Sequence, residues 1–182
     1  MDSGKHESGE KMSQDTNIVR EAIKLEINGR AFFEHAARQT GNELGKKMFT
    51  KLANDEIQHL KVFGDIFSSV VNVQEWKSLI EQEETNKSEL IEQLKKRMHD
   101  ANKNKSASEL EAISIGMELE RKAIDFFDKS ANETSDPKLK QTMKKISDEE
   151  KFHFDLLQAQ YDNVTNSGFW FDIAEFRMDG KY

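Results

Sequence analysis

The sequence predicts an all-α protein: a four-helix bundle made of two repeated helical hairpins, joined by a long crossover and followed by a short aromatic C-terminal segment. Three observations carry this. Charged residues make up 34% of the 182-residue chain and hydrophobic ones 36%, with nine glycines and one proline, a composition suited to long helices with broad solvated faces. Apolar residues recur at spacings of three and four over several long stretches, which is the helical period. Displaced by 94 residues, the chain matches itself without gaps over most of both helix pairs, so one motif is used twice.

Residues 1–14 are polar and show no helical stripe, and are read as a disordered tail ahead of a single domain over 15–182. From Asp15 to about Gln39, two neighbouring seams run through Ile18, Ala22, Leu25, Gly29, Phe32 and Ala36 and through Val19, Ile23, Phe33 and Ala37, predicting a long helix with a wide buried face. Gly41 and Asn42 break it, and Phe49, Leu52, Leu60, Phe63 and Phe67 mark a second helix over about 42–68. The stretch 69–105 reads as a crossover with a short amphipathic helix around Leu90, Ile91, Leu94 and Met98. Ser106 or Ser108 is the expected cap of a third long helix running to about Asn132, with Ile113, Met117, Ile124, Phe127 and Ala131 in line. Asp136-Pro137 is a cap followed by proline at the first helical position, opening a fourth helix that stops between Asn163 and Gly168. Phe169, Trp170, Phe171, Ile173 and Phe176 have the composition of a segment that packs on its own bundle or on a second copy, and Trp76 reads as a packing anchor in the crossover.

Several function classes drop out. Without cysteine there are no disulfides, iron-sulfur clusters, thiolate zinc sites or thiol nucleophiles, so any metal must be held by carboxylate and imidazole. The net charge of -7 is spread with interspersed signs, which argues against a nucleic-acid partner. Apolar runs fall far short of the roughly 20 residues of a membrane span, and none follows Met1 as a signal peptide requires, so the expected location is cytoplasmic with no membrane partner.

The apolar seams are interrupted in a repeated way. Glu26 lies in the seam Val19, Ile23, Arg30, Phe33, and Glu120 in the seam Ile113, Met117, Ile124, Phe127. Glu56 and His59 continue Phe49, Leu52, Phe63, while Glu150 and His153 continue Met143, Ile146, Leu157. A lone carboxylate in a core costs several kcal/mol unless it is paired, neutralised or bound to a metal. Counting from the hairpin turns near residues 41 and 135, each glutamate lies 15 residues from its turn, so at a fixed rise per residue all four reach one level. With five histidines among 34 acids a single Glu-x-x-His is weak evidence, and the alternative to a metal site is a structural polar layer. Two such pairs, two further glutamates and matched depth together form the set that helix bundles use for two metal ions. His6, His35 and His99 lack this context and read as surface residues.

At these residues the chain resembles the rubrerythrin-like branch of the ferritin-like diiron-carboxylate superfamily, over about 18–163. The resemblance implies a ferritin-like bundle with Glu26 and Glu120 as terminal ligands, Glu56 and Glu150 bridging two metals, and His59 and His153 as imidazole ligands. It implies two iron ions as cofactor, with manganese or a mixed iron-manganese pair as alternatives. Asp55 and Glu149 are candidates to orient the histidines. The chain departs from that family in three ways. The rubredoxin domain that delivers electrons in many rubrerythrins needs cysteines, so an external donor such as a separate rubredoxin or reductase is expected. An additional glutamate one turn past the Glu120-type ligand is here Ala123, leaving a symmetric set similar to that of bacterioferritin. Phenylalanines, Phe32-Phe33 and Phe126-Phe127, stand where a tyrosine often follows the ligand, and Tyr161 lies about three turns past Glu150.

Hard oxygen ligands with one imidazole per metal suit Fe(II) or Mn(II) and leave positions open for an oxidant. The expected activity is that of a non-haem diiron oxidoreductase reducing hydrogen peroxide or dioxygen, with the six ligands acting through the metals, in a homodimer. The alternatives are an iron-binding or ferroxidase protein for storage, sensing or delivery, and a structural or protein-binding bundle.

Overall fold

The structure is a computed structural model that describes residues 4–70, 78, 81, 88–101, 105–174 and 176. Among the described residues there are five helices and no strand: α1 (Gly4–Gln39), α2 (Glu43–Val70), α3 (Ser88–Ala101), α4 (Lys105–Glu133) and α5 (Pro137–Ser167). The all-α expectation holds, and α1–α2 and α4–α5 are the two repeated hairpins. No described helix is long and apolar enough to cross a membrane.

The hairpin turns fall where the sequence predicts a break at Gly41 and Asn42 and a cap at Asp136. Asn42 Oδ1 accepts from the backbone N–H groups of Leu44 (2.9 Å) and Gly45 (3.3 Å), satisfying donors that the first turn of α2 leaves free. Asp136 does the same for α5, accepting from Leu139 N at 2.7 Å, with Pro137 following it. Gly168 ends α5 at φ 76°, a left-handed conformation that favours glycine.

Two boundaries differ from expectation. The helix α1 extends back to Gly4 through the polar segment read as a tail, beyond the start near Asp15 that the apolar period predicts. The helix α4 begins at Lys105, before both candidate caps, and Ser108 Oγ donates to Met98 O of α3 (3.4 Å) instead of capping. Trp76 and the side chain of His6 lie outside the described residues.

The core forms two apolar clusters. One gathers Phe33, Phe49 and Leu52 near the first turn with Ile113, Ile115 and Leu157, and Leu94 and Met98 of α3 join it. The other gathers Ile23, Phe63 and Phe127 with Met143 and Ile146 near the second turn. The turns therefore sit at opposite ends of the bundle, and the crossover has to travel its whole length. Arg97 pins α3 to α4 by a two-pronged pairing with Glu118 (both contacts 2.9 Å) and a bond to Glu111 (3.0 Å).

The C-terminal segment packs on its own bundle. Trp170 is 8% exposed, meets Phe49 edge-on at 6.2 Å and donates from Nε1 to Glu109 Oε2 (3.1 Å), while Glu109 Oε1 accepts from Gly41 N (3.2 Å). Thus α4, the first turn and the C-terminal segment meet at one carboxylate. Gly45 makes the notch, since a Cβ there would lie 2.8 Å from the Trp170 ring and 2.8 Å from Thr40 Cγ2. Phe171 and Phe176 stack at 6.2 Å, and Phe176 meets Phe152 at 5.4 Å.

Alanine normally stabilises a helix over glycine by about 1 kcal/mol, yet Gly45→Ala is expected to lower the melting temperature. Trp170→Ala is expected to cost about 3–5 kcal/mol. In the Trp170→Ala background the penalty of Gly45→Ala should shrink, and denaturant unfolding of the four proteins checks this; additive effects would mean that Gly45 is not there for the tryptophan.

Candidate metal centre

The four interrupted seams converge between the two apolar clusters. Glu26 of α1, Glu56 and His59 of α2, Glu120 of α4 and Glu150 and His153 of α5 are all buried, none more than 3% exposed. They form two overlapping groups, Glu26–Glu56–His59–Glu150 and Glu56–Glu120–Glu150–His153, each with one ligand atom per residue within 4.8 Å of the others. Glu56 and Glu150 belong to both groups. The six residues singled out in the sequence are thus together.

Both imidazoles point Nδ1 inward. His59 Nδ1 lies 3.1 Å from Glu26 Oε2, 3.0 Å from Glu150 Oε1 and 3.8 Å from Glu56 Oε2. His153 Nδ1 lies 2.9 Å from Glu150 Oε2 and 3.6 Å from Glu120 Oε1. Donor atoms bound at right angles to one ion at about 2.1 Å sit about 3 Å apart, so these separations fit shared ions. The outward nitrogens face carboxylates across the bundle: His59 Nε2 meets Glu149 Oε2 at 2.9 Å, and His153 Nε2 meets Asp55 Oδ2 at 3.0 Å. A proton held on Nε2 by that bond leaves the Nδ1 lone pair free for a metal. Asp55 and Glu149 are therefore where their expected orienting role requires.

The sequence reading took no account of the lysines behind them. Lys51 Nζ pairs with Asp55 and Lys145 Nζ lies 3.7 Å from Glu149, so each half carries a Lys–carboxylate–His chain reaching into the other. The signal was present, because Lys51 and Lys145 are matched by the 94-residue repeat. Lys51, Asp55, Lys145, Glu149 and His153 border a groove of about 680 Å³ between α2 and α5, which opens the histidine side of the centre to water. His99 is exposed and His35 half-buried, and both line a separate cavity of about 210 Å³, away from the centre.

The metal-free site is electrostatically unfavourable in a way that two cations would relieve. Burial first, and then the neighbouring carboxylates, push Glu26 and Glu120 well above the ordinary carboxyl range. One oxygen of each, Oε1, is buried without a hydrogen-bond partner. Burial works against protonating the histidines, but the surrounding carboxylates outweigh it, raising His153 to about 9 and His59 higher still. Burial also works against ionising Glu150, yet its bonds to His153 and His59 hold it below the usual range. Four carboxylates and two neutral imidazoles carry a formal charge of -4, which two divalent ions cancel; the donor set fits a two-metal centre.

These shifts set a pH dependence. Groups with raised values bind more protons folded than unfolded, so the stability from His59 and His153 is complete below about 6.5 and lost as pH climbs through the folded values. Glu26 and Glu120 add a loss in the same direction above about 4.5. The metal-free protein is therefore expected to melt at progressively lower temperature from pH 7 to 10. Thermal melts in chelator check this, and a Glu26→Gln, Glu120→Gln variant should show a shallower decline.

Comparison with known proteins agrees with this geometry. A family model described as rubrerythrin matches residues 17–161, a span that covers most of both hairpins and all six buried ligand candidates. No curated protein and no solved structure gives a significant match. The chain belongs to the rubrerythrin family.

Proposed function

We propose that the protein is a non-haem diiron oxidoreductase that reduces hydrogen peroxide, with an external protein supplying electrons. The observation that carries this reading is the pair of buried four-residue groups sharing Glu56 and Glu150. Such sharing holds two ions close enough to act on one small molecule, which a single-metal site cannot do. Two irons held there supply the two electrons that, with two protons, turn one peroxide into two waters.

The chain's own residues do the rest. Glu56 and Glu150 belong to both groups and would serve both ions, while Glu26 and Glu120 would each complete one group, each with a buried oxygen that has no hydrogen-bond partner. Asp55 and Glu149 hold the imidazole Nε2 protons, fixing the ring planes before any ligand arrives. Phe33 and Phe127, both fully buried, belong to the apolar clusters on either side and keep bulk water from the layer. Protons for the product waters exchange at the α2–α5 groove, where the carboxylates behind the histidines meet solvent. Iron rather than manganese, peroxide rather than dioxygen, a cytoplasmic location and a homodimeric assembly are parts of the same proposal.

Metal analysis is expected to give about two irons per chain, with stoichiometry lost in Glu56→Ala and His153→Ala. Stopped-flow mixing of the Fe(II)-loaded protein should show faster oxidation by peroxide than by air-saturated buffer. Preference for dioxygen would favour a ferroxidase instead, and no stoichiometric metal would sink the centre altogether. Asp55→Asn and Glu149→Gln should each weaken metal binding by roughly 10–100-fold while leaving the fold intact; competition with a chromophoric chelator measures this.

A further inference from the structure

We infer that small ligands reach the centre along the pseudo-twofold axis between α1 and α4, through a short passage gauged by Gly29 and Ala123. This rests on the two-metal reading above and adds to it the access route and its size limit.

A cavity of about 70 Å³ lies against the centre, lined by α1, α4 and Glu56 of α2, and by neither histidine. Its walls come in pairs related by the 94-residue repeat: Leu25 with Leu119, Glu26 with Glu120, and Gly29 with Ala123. A cavity built from such pairs straddles the axis that exchanges the two ligand groups, so an occupant faces both groups alike. The floor is the buried carboxylates Glu26, Glu56 and Glu120, while Leu25 and Leu119 are half-exposed at the outer end. The passage therefore runs from the surface to the ligand atoms.

Its width is set by small residues at matched positions. Ala123 is 9% exposed, and a Cβ on Gly29 would come 3.0 Å from Glu56 Oε1, tighter than ordinary contact. Any larger side chain at either position takes the space a ligand would use. At about 70 Å³ the cavity is small, with room for a few molecules of the size of water. Such a space favours molecules of a few heavy atoms over larger organic ones. At the rim the repeat is broken, with Lys122 opposite Asn28. A cation above a floor of carboxylates favours neutral or singly anionic visitors over further metal ions.

The histidine-side groove is the competing route, and azide distinguishes the two because it is small, anionic and gives an absorbance change on binding iron. Azide association with the iron-loaded protein is followed by stopped flow, with metal content measured on the same samples. Ala123→Leu is expected to keep two metals and slow azide association at least tenfold, whereas Leu25→Ala, which widens the mouth, should speed it. Unchanged rates in both variants, with two metals bound, would overturn the route and leave the proposed function standing. If Ala123→Leu fails to fold or to load metal, Leu25→Ala decides, an unchanged rate counting against the route. A parent protein without two metals would overturn the function and the route together.

Discussion

Four carboxylates and two imidazoles enclosed at one level of a helical bundle form a layer that resists folding, and the remaining architecture is arranged around it. Buried acids in mutual contact repel, and the protein's partial answer without metal is to place protons on Glu26, Glu120 and the histidines. That answer satisfies charge and leaves geometry strained for hydrogen bonding, as the unpartnered Oε1 atoms of Glu26 and Glu120 record. Stability must come from elsewhere. It comes from the two apolar clusters, where the Phe63–Phe127 stack at 5.9 Å and the Phe33–Phe49 stack at 6.3 Å flank the polar layer from opposite ends.

The same constraint explains the long crossover. Each hairpin brings one Glu and one Glu-x-x-His, and two hairpins complete the set when their turns lie at opposite ends. In that arrangement the end of α2 and the start of α4 are a bundle length apart. A short loop cannot span it, and α3 does part of the work, its Leu94 and Met98 buried in the first cluster and Arg97 clamped to α4. The Glu109 junction is a further consequence, because it ties the start of α4 to the first turn and to Trp170.

The buried cluster of carboxylates and imidazoles was legible in the sequence for a physical reason. Each of Glu26, Glu56, His59, Glu120, Glu150 and His153 violates an apolar stripe, and a violation repeated at 94 residues is information that surface acids do not provide. The helix core stripes, the break at Gly41 and Asn42 and the Asp136 cap were legible because they are local. The start of α1 was not, since residues 4–14 carry no apolar stripe to impose a period, nor was the start of α4, where the candidate cap Ser108 bonds to another helix. Gly45 and Gly29 looked like ordinary helix glycines until the ring of Trp170 and the carboxylate of Glu56 were seen against them. Such contacts join residues far apart in sequence, and no window along the chain contains both partners.

The repeat keeps the ligands identical and varies what surrounds them, and the pattern of variation carries meaning. Behind the histidines, Asp55 is matched by the longer Glu149; Asp55 is in contact with Lys51, while Lys145 stands 3.7 Å from Glu149. A carboxylate already held by a lysine draws less on the imidazole proton, so His153, which faces Asp55, and His59, which faces Glu149, are braced by unequal partners. His59 in addition meets carboxylates from both hairpins at its inner nitrogen. The two halves of the centre are thus unequal in what surrounds their imidazoles, although their candidate ligands are the same. On the opposite side the variation is steric, Gly29 against Ala123, with Lys122 against Asn28 at the rim. Two similar ions would demand the same ligands from each half, whereas the two faces of the centre differ, open and ionic at the histidines and narrow at Glu26 and Glu120. A duplicated hairpin can provide both only by losing its symmetry one shell outside the ligands.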